Sequence, residues 1–433
     1  MPVLMALPRH KGCLMIWHYA HSHTLNPWAA CTTYLGGIMI YRRAVSSRFS
    51  QVPRVACLSV ILGVACLMMV ACAGIKTREA DDLRSTVVAL AAKKAALPEV
   101  PGLSVALLRK GEDTPVCAAF GNTSLENPTP MTTASRFKIG SVTKVFTATL
   151  IHRLIEEGKL DYNTPISRFF PTYPNGKNIT VRNLLEHTSG MPEMLALVQV
   201  QQNLARYWSA VELIDMAAKQ PPLFRPGTRQ QYCNTGFLML AVIAEKITGR
   251  PYGEQVLDMF VGKLGMKSLM VGVDGAVVTR LANGYTSNGS EMQLPLAASI
   301  AIAKGTGNLE AAPDDVVRLV NLDRVLKNNV LESLPLRPLV LPDGKEAVSI
   351  SKNNHYVSSE LDGCTLFLFN EPSIDLTGKL GLFPGFGTAY FYDRQTGYAV
   401  AVSVNNEKAI SHAIALGAEI LQAMRQRSAE TAR

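Results

Sequence analysis

Hydrophobic and polar residues follow two different periods along the chain, and each period predicts a different kind of element. Apolar residues three and four positions apart are typical of amphipathic helices, whereas short apolar runs and strict alternation are typical of strands. The helical period predicts helices over residues 82–96, 141–157, 211–219, 236–248, 313–327 and 409–424. The strand patterns occupy residues 103–110, 116–120, 347–350, 365–369, 387–392 and 398–404.

The order of these elements predicts an α/β (α+β) fold. Strand-like segments stand near both ends of the chain, and the stretch from about residue 160 to 340 is mostly helical with long loops. This order predicts an antiparallel β-sheet flanked by N- and C-terminal helices, an inserted all-helical lobe, and a cleft between the two. We expect one domain over residues 81–425, followed by a C-terminal tail over 426–433.

A serine and a lysine stand three residues apart where the second predicted helix begins, in Ser141-Val-Thr-Lys144. Residues spaced by three share a helix face, and the N–H groups of the first turn have no partner within the helix. A nucleophile, a base and half of an oxyanion hole can therefore come from four residues, at the positive end of the helix dipole. Because an isolated pair of this kind is usually a solvated helix surface, it needs support from the rest of the chain.

Three further sequence blocks supply that support. They are LLEHTSGMP over residues 184–192, FRPGTRQQYCNTGFLML over 224–240 and GKLGLFPGF over 378–386. With the Ser-x-x-Lys pair, they resemble the serine β-lactamases and penicillin-binding enzymes, especially class C β-lactamases and D-alanyl-D-alanine carboxypeptidases. That family carries S-x-x-K, then Y-x-N, then K-T-G or H-x-G, in this order. The matching positions here are Ser141, Lys144, Tyr232, Asn234, Lys379 and Gly381, and the resemblance extends from about residue 81 to 424.

The resemblance implies that Ser141 is the nucleophile and that Lys144 and Tyr232 manage its proton. Lysine can accept that proton near neutral pH only if its pKa falls by about three units from about 10.4. Burial and a second cation both lower a lysine pKa, and Lys379 is a candidate for that cation. Tyr232 would relay the proton to the leaving group as a phenol/phenolate pair.

The resemblance also implies the substrate contacts. Asn234, Lys379 and Gly381 would bind the substrate, and the N–H groups of Ser141 and Leu382 would hold the oxyanion. Asn234 carries both a donor and an acceptor, so its side chain can contact a substrate carbonyl and Lys144 at once.

Structural alternatives remain for several of these residues. Asn234 is also a good N-cap for the apolar helix that follows it, and the glycine-rich segment around Lys379 also fits an edge strand or turn. His187 is interpreted as a turn residue at the wall of the site, because no Gly-x-Ser-x-Gly elbow surrounds Ser141. Cys233 is interpreted as a buried inert thiol rather than a reactive one.

The residues around Lys379 depart from the family pattern. Leu380 and Leu382 stand where the family often has Thr or Ser, whose hydroxyls help to bind a carboxylate. Each lost hydrogen bond to a charged group is worth about 1.5–3 kcal/mol. With Phe383 and Phe386, the two leucines predict a more apolar wall, which favours an esterase more than the family pattern alone does.

The predicted function is a serine acyl hydrolase that forms an acyl-enzyme on β-lactam or D-Ala-D-Ala-type peptide substrates. Two alternatives remain: an esterase of the same family, and a non-catalytic peptidoglycan-binding lipoprotein on an inherited fold. Neither a cofactor nor a metal site is expected, since the histidines stand singly without ligand spacing. Residues 305–307 (GTG) lack the lysine and the helix of a phosphate loop and predict a turn.

Charge is concentrated at the start of the chain. The net charge is +9, but six of the 43 basic residues and none of the 34 acidic ones precede Cys72, which leaves 37 basic residues against 34 acidic ones. The remainder is too weakly basic to suggest a nucleic-acid partner. From Val55 to Ile75 no residue is charged. This pattern predicts a signal segment over residues 1–71 with lipoprotein cleavage before Cys72, a tether over 72–80 and a membrane-anchored, periplasm-facing protein.

Two features of the leader remain open. An uncleaved membrane anchor is the alternative to cleavage before Cys72, since 21 uncharged residues suffice to cross a bilayer. Met39 is an alternative start to Met1. Only three of the eight cysteines, Cys117, Cys233 and Cys364, follow Cys72, so no disulfide framework is expected.

Overall fold

The computed structural model describes residues 34–35, 38–39 and 81–431, apart from 289–290, 336, 351–355 and 371–372. The first two pairs form a short antiparallel hairpin. The predicted cleavage site before Cys72 and the tether over 72–80 lie outside the described residues. Among the residues described, no helix is both long and apolar enough to cross a membrane.

The helices and strands are numbered along the chain. The α-helices are α1 (residues 81–95), α2 (Thr143–Glu156), α3 (Val181–Leu185), α4 (Val198–Gln201), α5 (Ala210–Ala218), α6 (Asn234–Thr248), α7 (Tyr252–Leu264), α8 (Pro313–Val316), α9 (Val330–Ser333) and α10 (Ile410–Thr431). The strands of the first half are β1 (Tyr34–Leu35), β2 (Ile38–Met39), β3 (Gly102–Arg109), β4 (Val116–Ser124), β5 (Thr129–Pro130), β6 (Phe137–Lys138), β7 (Met270–Val271), β8 (Thr286–Asn288) and β9 (Glu291–Gln293). Those of the second half are β10 (Leu309–Ala311), β11 (Leu339–Val340), β12 (Glu346–Ala347), β13 (Ser349–Ile350), β14 (Tyr356–Leu361), β15 (Cys364–Asn370), β16 (Ser373–Phe383), β17 (Phe386–Asp393) and β18 (Tyr398–Val404).

A nine-stranded sheet joins the two ends of the domain. Its strands lie in the order β13-β14-β15-β16-β17-β18-β3-β4-β5, and every pair is antiparallel. The pairing of β18 with β3, for example Val402 with Val105, connects the C-terminal strands to the N-terminal hairpin. Every residue of β17 and β18 is buried, as expected for strands covered on both faces.

The terminal helices cover one face of this sheet. Val87 and Ala91 of α1, with Leu416 and Ile420 of α10, pack in one core with apolar residues of β3, β17 and β18. These side chains recur at intervals of three and four, so each helix presents one apolar face to the sheet. The predicted antiparallel sheet flanked by terminal helices is therefore confirmed.

Helix α2 packs with helices of the inserted segment. Ile151 of α2, Leu184 of α3 and Phe237 of α6 belong to a second buried core. The start of α2 is in contact with β16 through a 3-10 turn over Gly140–Val142. The turn that carries Ser141 thus lies where the sheet meets the helical segment.

The inserted segment is not all helical, contrary to the prediction. Within residues 160–340 the chain forms β7 to β11, and β10 pairs with both β6 and β7. The helix predicted over 313–327 is a short α8 followed by a 3-10 helix over Val317–Arg324 that is kinked at Asn321. Asn321 accepts the Gly111 N–H at 2.7 Å and donates to the Glu112 carbonyl at 2.9 Å. A tertiary contact thus holds Asn321 outside helical geometry.

Among the strands of six or more residues, β14 and β16 were not predicted, and β16 carries Lys379. The sequence of β16 is rich in glycine and polar residues, which hides the strand pattern. β16 lies between β15 and β17, but its pairing with β15 ends at Gly378 while its pairing with β17 continues to Phe383. The segment that carries Lys379 is therefore an edge of the sheet on the β15 side, as the edge-strand alternative predicted. At the C-terminus, α10 continues to Thr431, beyond the predicted end at residue 424.

Candidate active site

Ser141 lies in a turn pressed against strand β16. Gly140 has a φ of +49°, and a side chain there would collide with the backbone of Leu382. A Cβ on Gly381 would collide with the carbonyl of Ile139. The two glycines therefore allow the serine turn and the strand to approach backbone to backbone.

Lys144 is fully buried beside Ser141. Its Nζ donates to Asn234 Oδ1 at 2.7 Å and to the carbonyl of Thr306 at 2.9 Å, and it lies 3.2 Å from Ser141 Oγ. A neutral amine has two N–H donors and one lone pair. With both donors directed at these acceptors, the lone pair of Lys144 is left for the hydroxyl of Ser141.

The surroundings of Lys144 favour that neutral amine. Burial lowers the pKa of Lys144 well below its ordinary value, and the nearby cation of Lys379 lowers it further. The carboxylates of Glu193 and Glu360 act in the opposite direction. The predicted shift of the Lys144 pKa, with its two predicted causes, is thus what the geometry produces.

Tyr232 donates its hydroxyl to Ser141 Oγ at 2.7 Å. The Nζ atoms of Lys144 and Lys379 lie 4.8 Å and 5.0 Å from the centre of its ring. Tyr232 as a residue is 38% exposed. Its phenol group lies deeper in the site, where burial is the first cause and the Glu360 carboxylate the second cause of a Tyr232 pKa well above the ordinary value. Tyr232 is therefore a protonated phenol at rest, and Lys144 is the group suited to accept the serine proton.

Asn234 is the first residue of α6 and not its N-cap. Cys233 occupies the cap position, without a side-chain cap. The Glu193 carboxylate accepts the backbone N–H of Asn234 at 2.5 Å and its side-chain N–H at 3.2 Å. This clamp orients the amide so that Oδ1 faces Lys144, which makes the capping alternative wrong for the side chain.

Lys379 is buried in an ion pair with Glu360 of β14. Its Nζ also donates to Thr365 Oγ1 at 3.3 Å, and Thr365 donates to the other oxygen of Glu360 at 3.0 Å. The charge of Lys379 is thus matched inside the protein, an arrangement that buried charges generally require.

His187 and Cys233 support the site from behind. His187 has a φ of +57°, accepts the Cys233 N–H on Nδ1 at 3.0 Å, and stacks on Tyr232 with ring centres 4.5 Å apart. Burial and the two lysines lower the pKa of His187 well below its ordinary value. Burial raises the pKa of the Cys233 thiol to about 12. The structural interpretation of both residues fits these surroundings.

The predicted apolar wall is wrong for three of its four residues. Leu380 points to the opposite face of the sheet and packs with the terminal-helix core, because neighbouring residues of a strand alternate between faces. Phe383 and Phe386 are buried in other clusters. Among the four, only Leu382 is exposed, at 55%. Its backbone lies against the serine turn at Gly140, while its side chain shares the face of Leu380.

Sequence reasoning did not identify three contributors to the site: Glu193, Thr306 and Glu360. Glu193 directly follows the block over residues 184–192, which is a usable signal. Thr306 contributes only its backbone carbonyl, so its side chain gives no hint. Glu360 lies in a strand that was not predicted. No cluster of three or more metal-binding side chains occurs among the residues that the structure describes.

Several known proteins are similar to this chain. The family model described as Beta-lactamase matches residues 90–425. Penicillin-binding protein 4* of Bacillus subtilis (strain 168) is 30% identical over 167 residues, which are 38% of this chain and 37% of that protein. A β-lactamase of Pseudomonas fluorescens is 26% identical over 247 residues, 56% of this chain and 65% of that protein. The chain thus spans between about a third and two thirds of the length of these curated relatives.

A solved structure matches more of the chain. It is the D-amino acid amidase from Ochrobactrum anthropi SV3 in complex with L-phenylalanine amide, which is 25% identical. The TM-score is 0.67, and the match covers 79% of this chain and 99% of that one.

Proposed function

The chain belongs to the β-lactamase family, whose members are serine hydrolases, and within it we propose an acyl hydrolase that works through an acyl-enzyme on Ser141. One observation carries this proposal. Lys144 is buried with both N–H donors directed at protein acceptors, and its Nζ lies 3.2 Å from Ser141 Oγ. A neutral lysine held in this way is a general base at the nucleophile.

Acylation then proceeds as a proton relay. Lys144 takes the hydroxyl proton of Ser141 as Oγ attacks the carbonyl carbon. Tyr232 gives its phenolic proton to the leaving nitrogen or oxygen as that bond breaks, and the Lys144 ammonium returns a proton to the phenolate. Water then adds to the acyl carbon, the bond from that carbon to Ser141 Oγ breaks, the acid product leaves, and Oγ takes up a proton that the water has lost.

The oxyanion and the substrate have proposed partners as well. The N–H groups of Ser141 and Leu382 would bind the oxyanion, since Gly140 and Gly381 let these two backbones meet. One amide N–H of Asn234 is bound by Glu193, and the second would bind a substrate carbonyl.

One substrate class that we propose is β-lactams and peptides ending in D-Ala-D-Ala. This choice rests on the family and on relatives that are a β-lactamase and a penicillin-binding protein. A second candidate is a neutral amide or ester. It is favoured by Leu382, which stands where the family often has a carboxylate-binding hydroxyl, and by the D-amino acid amidase among the structural relatives.

The test is intact-mass spectrometry of the purified protein mixed with benzylpenicillin and followed over time. We expect an adduct that maps to Ser141, is absent in Ser141→Ala, and persists in the matched control Ser428→Ala, a serine on α10. The adduct lifetime then distinguishes a lactamase from a penicillin-inhibited peptidase.

Two outcomes would count against the proposal. An adduct or full turnover in Ser141→Ala would remove Ser141 as the nucleophile. Failure to react with benzylpenicillin, D-alanyl peptides, amides and p-nitrophenyl esters would leave the non-catalytic binding lipoprotein as the better hypothesis.

Export and anchoring remain a separate proposal. We propose that the leader is cleaved before Cys72 and that the lipid-modified protein faces the periplasm. Radiolabelled palmitate should label the wild-type protein in cells and not Cys72→Ala, whereas labelling of both would contradict lipid attachment at this residue.

A further inference from the structure

The cation of Lys379 is already matched by a protein carboxylate. Lys379 is buried, and its Nζ contacts Glu360 and Thr365. Thr365 donates to the same carboxylate, so each of these three side chains contacts the other two.

Glu360 is held in place by the segment that carries Tyr232. Its backbone N–H donates to Gln230 Oε1 at 3.3 Å, and its carbonyl accepts from Gln230 Nε2 at 2.5 Å. Glu360 also lies opposite Thr365 in the pairing of β14 with β15. The carboxylate is therefore fixed on both sides, and its side chain remains 19% exposed.

His187 adds no second cation to this set. Its Nδ1 accepts the Cys233 N–H, so the neutral ring carries its proton on Nε2. That atom lies 3.9 Å from the Glu360 carboxylate and finds no hydrogen-bond partner among the described residues. Lys379, Glu360 and His187 together thus carry no net charge.

We propose that Glu360 is a specificity-determining residue that directs the site toward acyl donors without a carboxylate near the scissile bond. A donor carboxylate approaching Lys379 meets one cation and one anion in close contact. Removal of the donor carboxylate from water is then not compensated by a free cation. The donor carboxylate and the Glu360 carboxylate also repel each other. A neutral amide, lactam or ester avoids that cost. The inference rests on the proposed function, because it concerns the same acyl transfer on Ser141.

The test compares benzylpenicillin with its methyl ester, two lactams that differ at the carboxyl group. Wild-type protein should acylate with the methyl ester at a higher kcat/KM than with benzylpenicillin. Glu360→Gln keeps the shape but frees the charge of Lys379, so it should shift the ratio toward benzylpenicillin by about tenfold. Glu360→Asp retains the charge and should keep the wild-type preference.

A binding measurement separates this role from structural damage. In the Ser141→Ala background, calorimetry should show that Glu360→Gln tightens benzylpenicillin binding by a similar factor and leaves the methyl ester within about twofold. Loss of fold would weaken both ligands together. A wild-type preference for benzylpenicillin, or parallel changes for both lactams in Glu360→Gln, would overturn the role of Glu360. Absence of any acylation by wild-type protein would overturn the proposed function along with it.

Discussion

Lys144 and Lys379 flank the ring of Tyr232 at nearly equal distances, 4.8 Å and 5.0 Å, but their surroundings differ. On the helical side, Lys144 donates to two uncharged acceptors, Asn234 Oδ1 and the Thr306 carbonyl. On the sheet side, Lys379 forms an ion pair with the Glu360 carboxylate. Burial with neutral partners favours an amine that can take a proton, whereas the ion pair matches a buried charge. Two lysines of one site can thus serve as base and as fixed charge.

The separate roles of the two lysines are tested most directly by removing each amino group in turn. Lys144→Met should lower the kcat/KM of acylation by about a thousandfold or more, because Ser141 then lacks its base. Lys379→Met, which keeps the same stem, should lower it by only about ten- to a hundredfold. Stopped-flow acylation measures both, with thermal unfolding as the check on folding. Equal losses would mean that the two lysines do not have separate roles.

The pH dependence sharpens the assignment of the base. Acylation requires neutral Lys144, so its rate should rise with pH through the Lys144 pKa, which lies well below the ordinary lysine value. Glu193 raises that pKa, so Glu193→Gln should move this acid limb to lower pH. The same change should lower the plateau by about tenfold, because Asn234 loses its clamp. The full profile of kcat/KM against pH tests both effects, and an acid limb that moves to higher pH would contradict the sign.

The smallest expected effect concerns the two faces of β16. Leu380→Thr should leave kcat/KM within about twofold and cost about 1 kcal/mol of unfolding free energy, because its side chain packs with the terminal-helix core. Denaturant unfolding and acylation kinetics give the two numbers. A gain in activity on carboxylate-bearing donors would instead place residue 380 in the substrate pocket.

Much of the fold could be predicted because it follows from local patterns. Helical spacing marks α1, α2, α5, α6 and α10, since an amphipathic face repeats every three to four residues in the chain itself. Ser141 and Lys144 could be paired for the same reason, because a separation of three residues places them on one helix face. The kink at Asn321 could not be predicted, because its partners Gly111 and Glu112 are distant in sequence. Strand β16 pairs with its two neighbours along the chain, but its glycines and polar residues hide the strand pattern.

The partners around each charged group are determined by tertiary packing alone. Residue types and their order determined that a serine, two lysines, a tyrosine and an asparagine belong together. The low pKa of Lys144 depends on its burial and on the neighbouring Lys379, and tertiary packing also supplies the contacts of Lys144 with Thr306 and of Lys379 with Glu360. Tertiary packing likewise determined which face of β16 is turned toward the site, with Lys379 on that face and Leu380 on the other. Burial and neighbouring charge shift a pKa only once packing has brought those groups within a few ångströms, and no local pattern encodes that distance.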